Sequence, residues 1–130
     1  MTNSIKIGKY LVTELKANSA ITAAVGDKIF PFVAKEGTLF PFVVYTRQNV
    51  DCNYCKDGNY SDTVSVQISV YTDTYEEGLN IANMVRSTLE WRTIITPDNT
   101  IIKSIVLDGV GESFYADTYA QVLTFKMTVQ

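Results

Sequence analysis

Two cysteines, Cys52 and Cys55, have the spacing in this chain that is most typical of covalent chemistry. A C-x-x-C pair cycles between dithiol and disulfide when one thiolate is stabilised. Here the pair lies in an Asn- and Asp-rich segment rather than at a helix N-terminus, which does not favour redox catalysis. Two sulfurs also fall short of the four ligands of structural zinc. We interpret the pair as loop thiols; the alternatives are a local disulfide, a metal shared between subunits and thiol redox chemistry.

The other residue types that commonly carry out catalysis do not indicate an enzyme either. The 130 residues contain no histidine, which excludes Ser-His-Asp and Cys-His catalysis and metal sites built on imidazole. The acidic pair Glu76 and Glu77 is explained by a helix start, and Gly109-x-Gly111 lacks the following helix that would hold a phosphate. The sequence therefore predicts no enzymatic activity and no cofactor.

Charge and hydropathy restrict the partners. Eleven basic and fourteen acidic residues give a net charge of −3, the wrong sign for a protein that grips nucleic acid tightly. Residues 1–36 carry five basic and three acidic side chains, whereas residues 63–90 carry one and four. No apolar run approaches the roughly 20 residues of a membrane span, and the N-terminus does not resemble a signal peptide. We expect that the protein does not associate with membranes. We expect its assembly to take place in the cytoplasm.

Helical periodicity appears in three places. The first runs from Ser4 to about Ala17, with Lys6 and Lys9 on its polar side, and a short second helix covers residues 19–25 and ends at Gly26. A third begins at a capping box formed by Thr74 and Glu77. Its predicted core stripe is Tyr75, Leu79, Ala82, Val85 and Leu89, with Met84 projecting from the opposite side and Arg86 beside the stripe.

Strand patterns fill the rest of the chain. Residues 29–32 are extended, 42–48 form a strand, 49–62 form a long loop, and 63–71 alternate as a strand. Further strands are predicted at 93–96, 101–107 and 119–129, with turns at 97–99 and 108–111. This order predicts a single α+β domain over residues 1–130, with a mainly antiparallel sheet of four to five strands and two main helices packed on one face.

Three stretches resemble the tail-completion, or tail-terminator, proteins of long-tailed bacteriophages and prophages. They are Val25-Gly26-Asp27-Lys28-Ile29-Phe30-Pro31, then Phe40-Pro41-Phe42-Val43-Val44-Tyr45, and then the alternating segment from Val64 to Tyr71 that continues through Asp73, Tyr75, Glu76 and Glu77 into a helix. A terminal strand around Tyr119 and Phe125 completes the layout. The segment around Cys52 and Cys55 departs from the family pattern.

The resemblance implies a structural virion protein that forms a ring, typically hexameric, at the head-proximal end of the tail tube. Such a ring stops tube growth and joins the tail to the head connector, so the implied partners are further copies of the chain, the tail-tube protein and the connector. DNA passes through without tight binding, and we expect Asp51, Asp57 and Asp62 to line the lumen or contact the tube. Lys6, Lys9, Met84 and Arg86 are the candidate subunit interface. The protein would move from the host cytoplasm into the virion tail.

Three alternatives stay open at this point. The chain could be a head–tail connector or tail-tube subunit, which share small α+β folds and rings. It could be a thiol oxidoreductase that uses Cys52 and Cys55. It could also be a binding module outside phage assembly that uses its eight tyrosines, Tyr54 and Tyr60 among them.

Overall fold

A computed structural model describes residues 3–130, apart from the side chains of Asn59 and Tyr60. A short 3-10 turn at Ser4–Lys6 leads into the helices, and the sheet follows. The helices are α1 (Ile7–Ala17), α2 (Ser19–Val25) and α3 (Tyr75–Leu89). The strands are β1 (Ile29–Pro31), β2 (Phe42–Cys55), β3 (Gly58–Thr72), β4 (Ile94–Ile95), β5 (Ile101–Tyr115) and β6 (Thr118–Val129).

The described strands form one sheet in the order β1-β2-β3-β6-β5-β4. Only the short β1 runs parallel to its neighbour, and the other pairings are antiparallel. The predicted α+β class is therefore confirmed. The sheet has six strands rather than four or five, because two very short segments each add to one edge.

The core lies between one face of the sheet and the helices. On β3 the alternating residues Val64, Val66, Ile68 and Val70 have no exposed surface, as their spacing predicts. The matching residues of β6 are Leu123, Phe125, Met127 and Val129, all of them buried. The helices contribute residues at helical spacing: Ile7, Leu11, Leu15, Ile21, Ile81, Val85 and Leu89. The opposite side of the sheet, which we call the open face, carries no helix in the part of the chain that the structure describes.

The third helix differs from its prediction in two respects. Thr74 occupies the N-cap with an extended backbone, but its side chain makes no capping hydrogen bond, so the predicted capping box does not form. The buried side of α3 includes Gly78 and Ile81, whereas Tyr75 and Leu79 are exposed. The predicted stripe is therefore wrong in the first turns of α3, where Gly78 packs closely against the polar residues Thr72 and Gln121 of the sheet.

The segment predicted as a long loop is a β-hairpin. Strand β2 continues to Cys55, and β3 begins at Gly58, so only residues 56 and 57 form the turn. Irregularities between Arg47 and Asn49 and between Asn53 and Tyr54 shift the register. The turn predicted at 108–111 is also wrong, since β5 runs through it and the chain reverses at residues 116–117. Bulges of this kind obscure the two-residue period on which the prediction depends.

Candidate functional site

The cysteine pair lies near the tip of the β2–β3 hairpin. Both thiols are free and exposed, and Cys52 faces Asp62 across the strand pair. A hydrogen bond with Cys52 raises the pKa of the Tyr54 hydroxyl. Cys52 lies within β2 and Cys55 is its last residue, so neither is at a helix N-terminus. Among the described residues, no group of three side chains could together bind a metal ion. Among the residues whose side chains are described, the contact that marks this pair is the one between Cys52 and Tyr54.

The predicted lumen carboxylates do not share one environment. Asp51 is exposed on the open face of β2, and Asp57 is exposed in the hairpin turn. Asp62 is only 4% exposed, because its side chain points to the helix side of β3. There Ser4 Oγ donates a hydrogen bond of 2.5 Å to Asp62 Oδ2. Asp62 therefore anchors the N-terminal turn and is not presented to solvent.

The predicted interface residues lie in two places. Lys6 and Lys9 are exposed at the start of α1, as their spacing predicts. Met84 is half-buried and packs against the core, so its predicted outward projection is wrong. The reason is that α1 and α2 pack on this side of α3, where Asn18 Nδ2 donates to Thr88 Oγ1 at 2.8 Å. Arg86 is exposed and forms an ion pair with Glu90 at 3.1 Å.

An exposed apolar and basic surface surrounds the start of α1 at the β1–β2 edge of the sheet. It lines a groove of about 320 Å³, and we call Ile5, Lys9, Phe32 and Arg47 the basic patch. Ile5 and Phe32 are 79% and 75% exposed. The guanidinium of Arg47 donates a hydrogen bond of 2.7 Å to the Ile5 carbonyl, which fixes both residues side by side.

The backbone of Phe32 adopts a left-handed conformation, with a φ of +67°. A bulky residue seldom adopts a positive φ, and such strain concentrates at functional positions. The Phe32 amide donates to the Tyr45 carbonyl at 2.9 Å, so the conformation is held by the end of the β1–β2 pairing. The result is an aromatic ring presented to solvent beside Lys9 and Arg47.

A second exposed surface lies at the opposite edge, where the start of α3 meets β5. We call Tyr75, Leu79, Glu112 and Phe114 the acidic patch; Phe114 is 57% exposed. Tyr75 Oη and Gln121 Nε2 both donate to Glu112 Oε2, at 2.9 and 3.0 Å. These bonds, that of Gln121 first, lower the pKa of Glu112, and the bond to Glu112 raises the pKa of Tyr75. Glu112 is thus ionised and held in place. Sequence reasoning missed this patch, because its members are far apart in the chain.

The open face combines aromatic and polar side chains, together with Lys126 and Lys103, which the register places on it. At one end Phe40, Phe42 and Tyr71 stack in a row with ring centroids 5.5 and 5.1 Å apart. They line a groove of about 290 Å³ together with Tyr115 and Ala120. Towards the other end of β3 the same face carries Ser69, Gln67, Ser65 and Thr63. This hydroxyl and amide surface is suited to contact with water rather than to a helix. The Tyr60 side chain, a predicted contact residue, lies outside the described residues.

A strongly perturbed carboxylate, Asp98, lies in the turn after β4. Tyr10 Oη and Asn3 Nδ2 donate to Asp98 Oδ2 at 2.6 and 3.0 Å, and the Thr96 hydroxyl donates to Oδ1. The bonds from Thr96 and then Tyr10 hold the pKa of Asp98 far below its usual range. Such a carboxylate is a poor proton carrier at neutral pH. It instead ties the N-terminal segment and α1 to the β4–β5 turn.

Comparison with known proteins gives one family and one fold. The family model described as Tail completion protein gp17 matches residues 9–130. No curated protein matches the chain. Among solved structures, a chain of the "Virion of native gene transfer agent (GTA) particle" has a TM-score of 0.79 at 18% identity, and the match covers 93% of this chain and 92% of that one. At this identity the likeness establishes a common fold.

Proposed function

Because the chain belongs to the tail completion protein gp17 family and is thus a structural, tail-related phage protein, we propose that it closes into a ring at the head-proximal end of the tail tube. In this role the ring ends tube growth and joins the tail to the head connector. Its partners are other copies of the same chain, in a hexamer, together with the tube and connector proteins. The observation that carries the proposal is the family match over nearly the whole chain.

The shape of the sheet supports ring closure. A ring requires two different surfaces on each subunit, joined head to tail through a rotation that closes. The two edges of this sheet differ, as a ring requires. One edge is formed by β1 and β2 beside the basic patch, and the other is formed by β5 and β4 beside the acidic patch. Opposite charges at the two edges favour contact between unlike edges over contact between like edges.

The open face is the surface that we place towards the lumen. Its side chains are mainly hydroxyl and amide groups, with Lys126 and Lys103 as basic residues on it, and Asp51 and the exposed Asp57 lie on or near it. Fixed negative charge repels a passing phosphate backbone. Asp62 is left out of this role because it is buried against Ser4.

Replacing Asp51 and Asp57 by lysine tests the lumen assignment in assembled phage. We expect slower DNA passage and lower infectivity, whereas the isosteric Asp51→Asn, Asp57→Asn control retains most activity. Equal infectivity of the lysine and asparagine variants, with normal tail length, would show that these carboxylates do not face the DNA.

Light scattering over a concentration series, with negative-stain images, tests the ring itself. A closed species of about six subunits, formed alone or on added tail tubes, is the expected result. Long tubes built from this chain would instead identify a tube subunit. A monomer at every concentration that also leaves tube ends uncapped would refute the proposal.

A further inference from the structure

We propose that, in the ring, the acidic patch of one copy seats on the basic patch of the next copy. The acidic patch is Tyr75, Leu79, Glu112 and Phe114, and the basic patch is Ile5, Lys9, Phe32 and Arg47. This inference rests on the proposed ring and names the residues that would hold it together. The partner that each of these two surfaces binds is a second copy of the chain.

The strand register fixes the height of the two patches on the sheet. Tyr45 pairs with Ile68, Ile68 with Leu123, and Leu123 with Val110, so these four residues form one row across it. The basic patch lies beside Tyr45, since Phe32 bonds to its carbonyl and Arg47 is two residues further along β2. The acidic patch begins two residues beyond Val110, at Glu112, which is in register with Gln121, Val70 and Val43. Arg47 lies on the other side of the shared row, in register with Val66, so Arg47 and Glu112 are displaced by four residues, roughly 13 Å, along the strands. The strands must therefore tilt relative to the ring axis for one patch to reach the other.

Both patches also lie on the same side of the sheet. Ile68 of the shared row is fully buried beneath the helices, so Tyr45 and Val110 face the helix side as well. Residues two apart on a strand share a face, which puts Arg47, Glu112 and Phe114 on that side. Strands β2 and β5 run in opposite directions, as neighbouring strands of an antiparallel arrangement do. Neither copy has to turn over to make the contact.

Charge and apolar surface are complementary across the contact. Tyr75 and Gln121 fix Glu112 through one carboxylate oxygen, and a carboxylate retains the capacity to accept a guanidinium or ammonium through the other. Lys9 and Arg47 supply those cations. Phe114 and Tyr75 on one side, and Phe32 and Ile5 on the other, are exposed apolar anchors of the kind that dominate interface energetics. The strained backbone that displays Phe32 is explained by this contact.

Charge exchange between the patches tests the proposal. Lys9→Glu and Glu112→Lys are each expected to raise the concentration at which half the protein is in rings by about tenfold or more, and the double variant to recover most of that loss. The matched controls are Lys16→Glu, on the same helix, and Asp108→Lys, on the same strand as Glu112. Both should assemble like the original protein. Circular dichroism and the melting temperature verify that each variant folds.

A photo-cross-linker at position 32 gives a second, independent readout. With benzoylphenylalanine in place of Phe32, mass spectrometry of the cross-linked rings should identify peptides that contain Glu112 and Phe114 or the start of α3. If the original protein forms rings but the charge variants assemble equally well and the cross-links fall elsewhere, this interface is wrong while the ring stands. If the original protein forms no ring, with or without tubes, the proposed function itself fails.

Discussion

A single methyl group at Gly8 tests how closely α1 is packed on the sheet. A Cβ added at Gly8 would lie 2.5 Å from Cε2 and 2.9 Å from Cδ2 of the Tyr45 ring. Ordinary carbon–carbon contacts lie near 3.5–4.0 Å, so either the ring or the helix must move by about 1 Å. Overpacking of this kind costs about 1–3 kcal/mol. We therefore expect Gly8→Ala to destabilise the protein.

The helix propensity of alanine acts in the opposite direction. Replacing glycine in a helix interior gains about 1 kcal/mol, and less here because Gly8 is the second residue of α1. The net loss expected from Gly8→Ala is thus about 1 kcal/mol, which lowers the melting temperature by roughly 3–5 °C in a domain of this size. The steric and propensity effects can be separated, because only the steric one depends on Tyr45.

A double-mutant cycle with Tyr45→Ala makes that separation. Urea unfolding followed by circular dichroism gives the free energy of unfolding of Gly8→Ala in both backgrounds. Without the ring, alanine at position 8 should be neutral or stabilising, so the coupling between the two positions should be about 1–3 kcal/mol. A coupling below about 0.5 kcal/mol would lie within ordinary additivity and would refute the packing argument.

Three further predictions concern the core, a helix cap and acid stability. Phe125→Ala removes a fully buried ring and should cost about 3–5 kcal/mol in urea unfolding, whereas Phe114→Ala, at an exposed position, should cost well under 1 kcal/mol in the monomer. Asn18→Ala removes a cap whose Oδ1 accepts from the Ala20 and Ile21 amides, at 2.9 and 3.3 Å, and should cost about 1 kcal/mol; an unchanged unfolding midpoint would contradict the cap. Because the folded-state pKa of Asp98 is depressed, its stabilising effect is fully present above its unfolded pKa of about 3.9, begins to fall near that pH and is lost only as the pH falls through the folded-state pKa. The stability difference between the original protein and Asp98→Asn should therefore shrink from pH 6 towards pH 2, with part of it still present at pH 3, and a difference independent of pH would refute this interpretation.

The strands and helices that touch the core were predictable from the sequence because burial imposes a period. Val64 to Val70 alternate, and β6 does the same, since each has one face on the helices and one on the open face. The first two helices also begin and end near their predicted positions, with Gly26 at a φ of +64° after α2. In each of these elements, the spacing of the apolar residues on the buried face was enough to predict the structure.

The two long hairpins were not predictable in the same way. Around the β2–β3 turn, and in β5 from residue 108 onward, most residues are exposed on both sides. No apolar alternation can develop where neither face is buried, and the register shifts near Asn49 and Gly109 break the period further. A strand in such a segment is stabilised by its hydrogen bonds to the partner strand. The local sequence pattern does not reveal that pairing.

The candidate site depends on contacts between distant parts of the chain. Asp62 resembled its exposed neighbours in sequence, yet Ser4, 58 positions away, makes it a buried anchor. Glu112 gave no signal at all, because the residues that orient it are Tyr75 and Gln121. Residue type suggested acidic and basic regions, but only the fold puts them at opposite edges of one sheet.

The irregular edges of the sheet bear on why the proposed assembly would stop at a ring. A long regular edge strand invites open-ended strand addition. Here β1 covers β2 at residues 43–45, β4 covers β5 at residues 101 and 102, and register shifts interrupt β5 between Lys103 and Gly109. In the proposed contact the copies meet through the side chains of the acidic and basic patches, and a side-chain contact fixes the angle between neighbours. A fixed angle that closes leaves no free edge, which is the property that a protein ending tube growth requires.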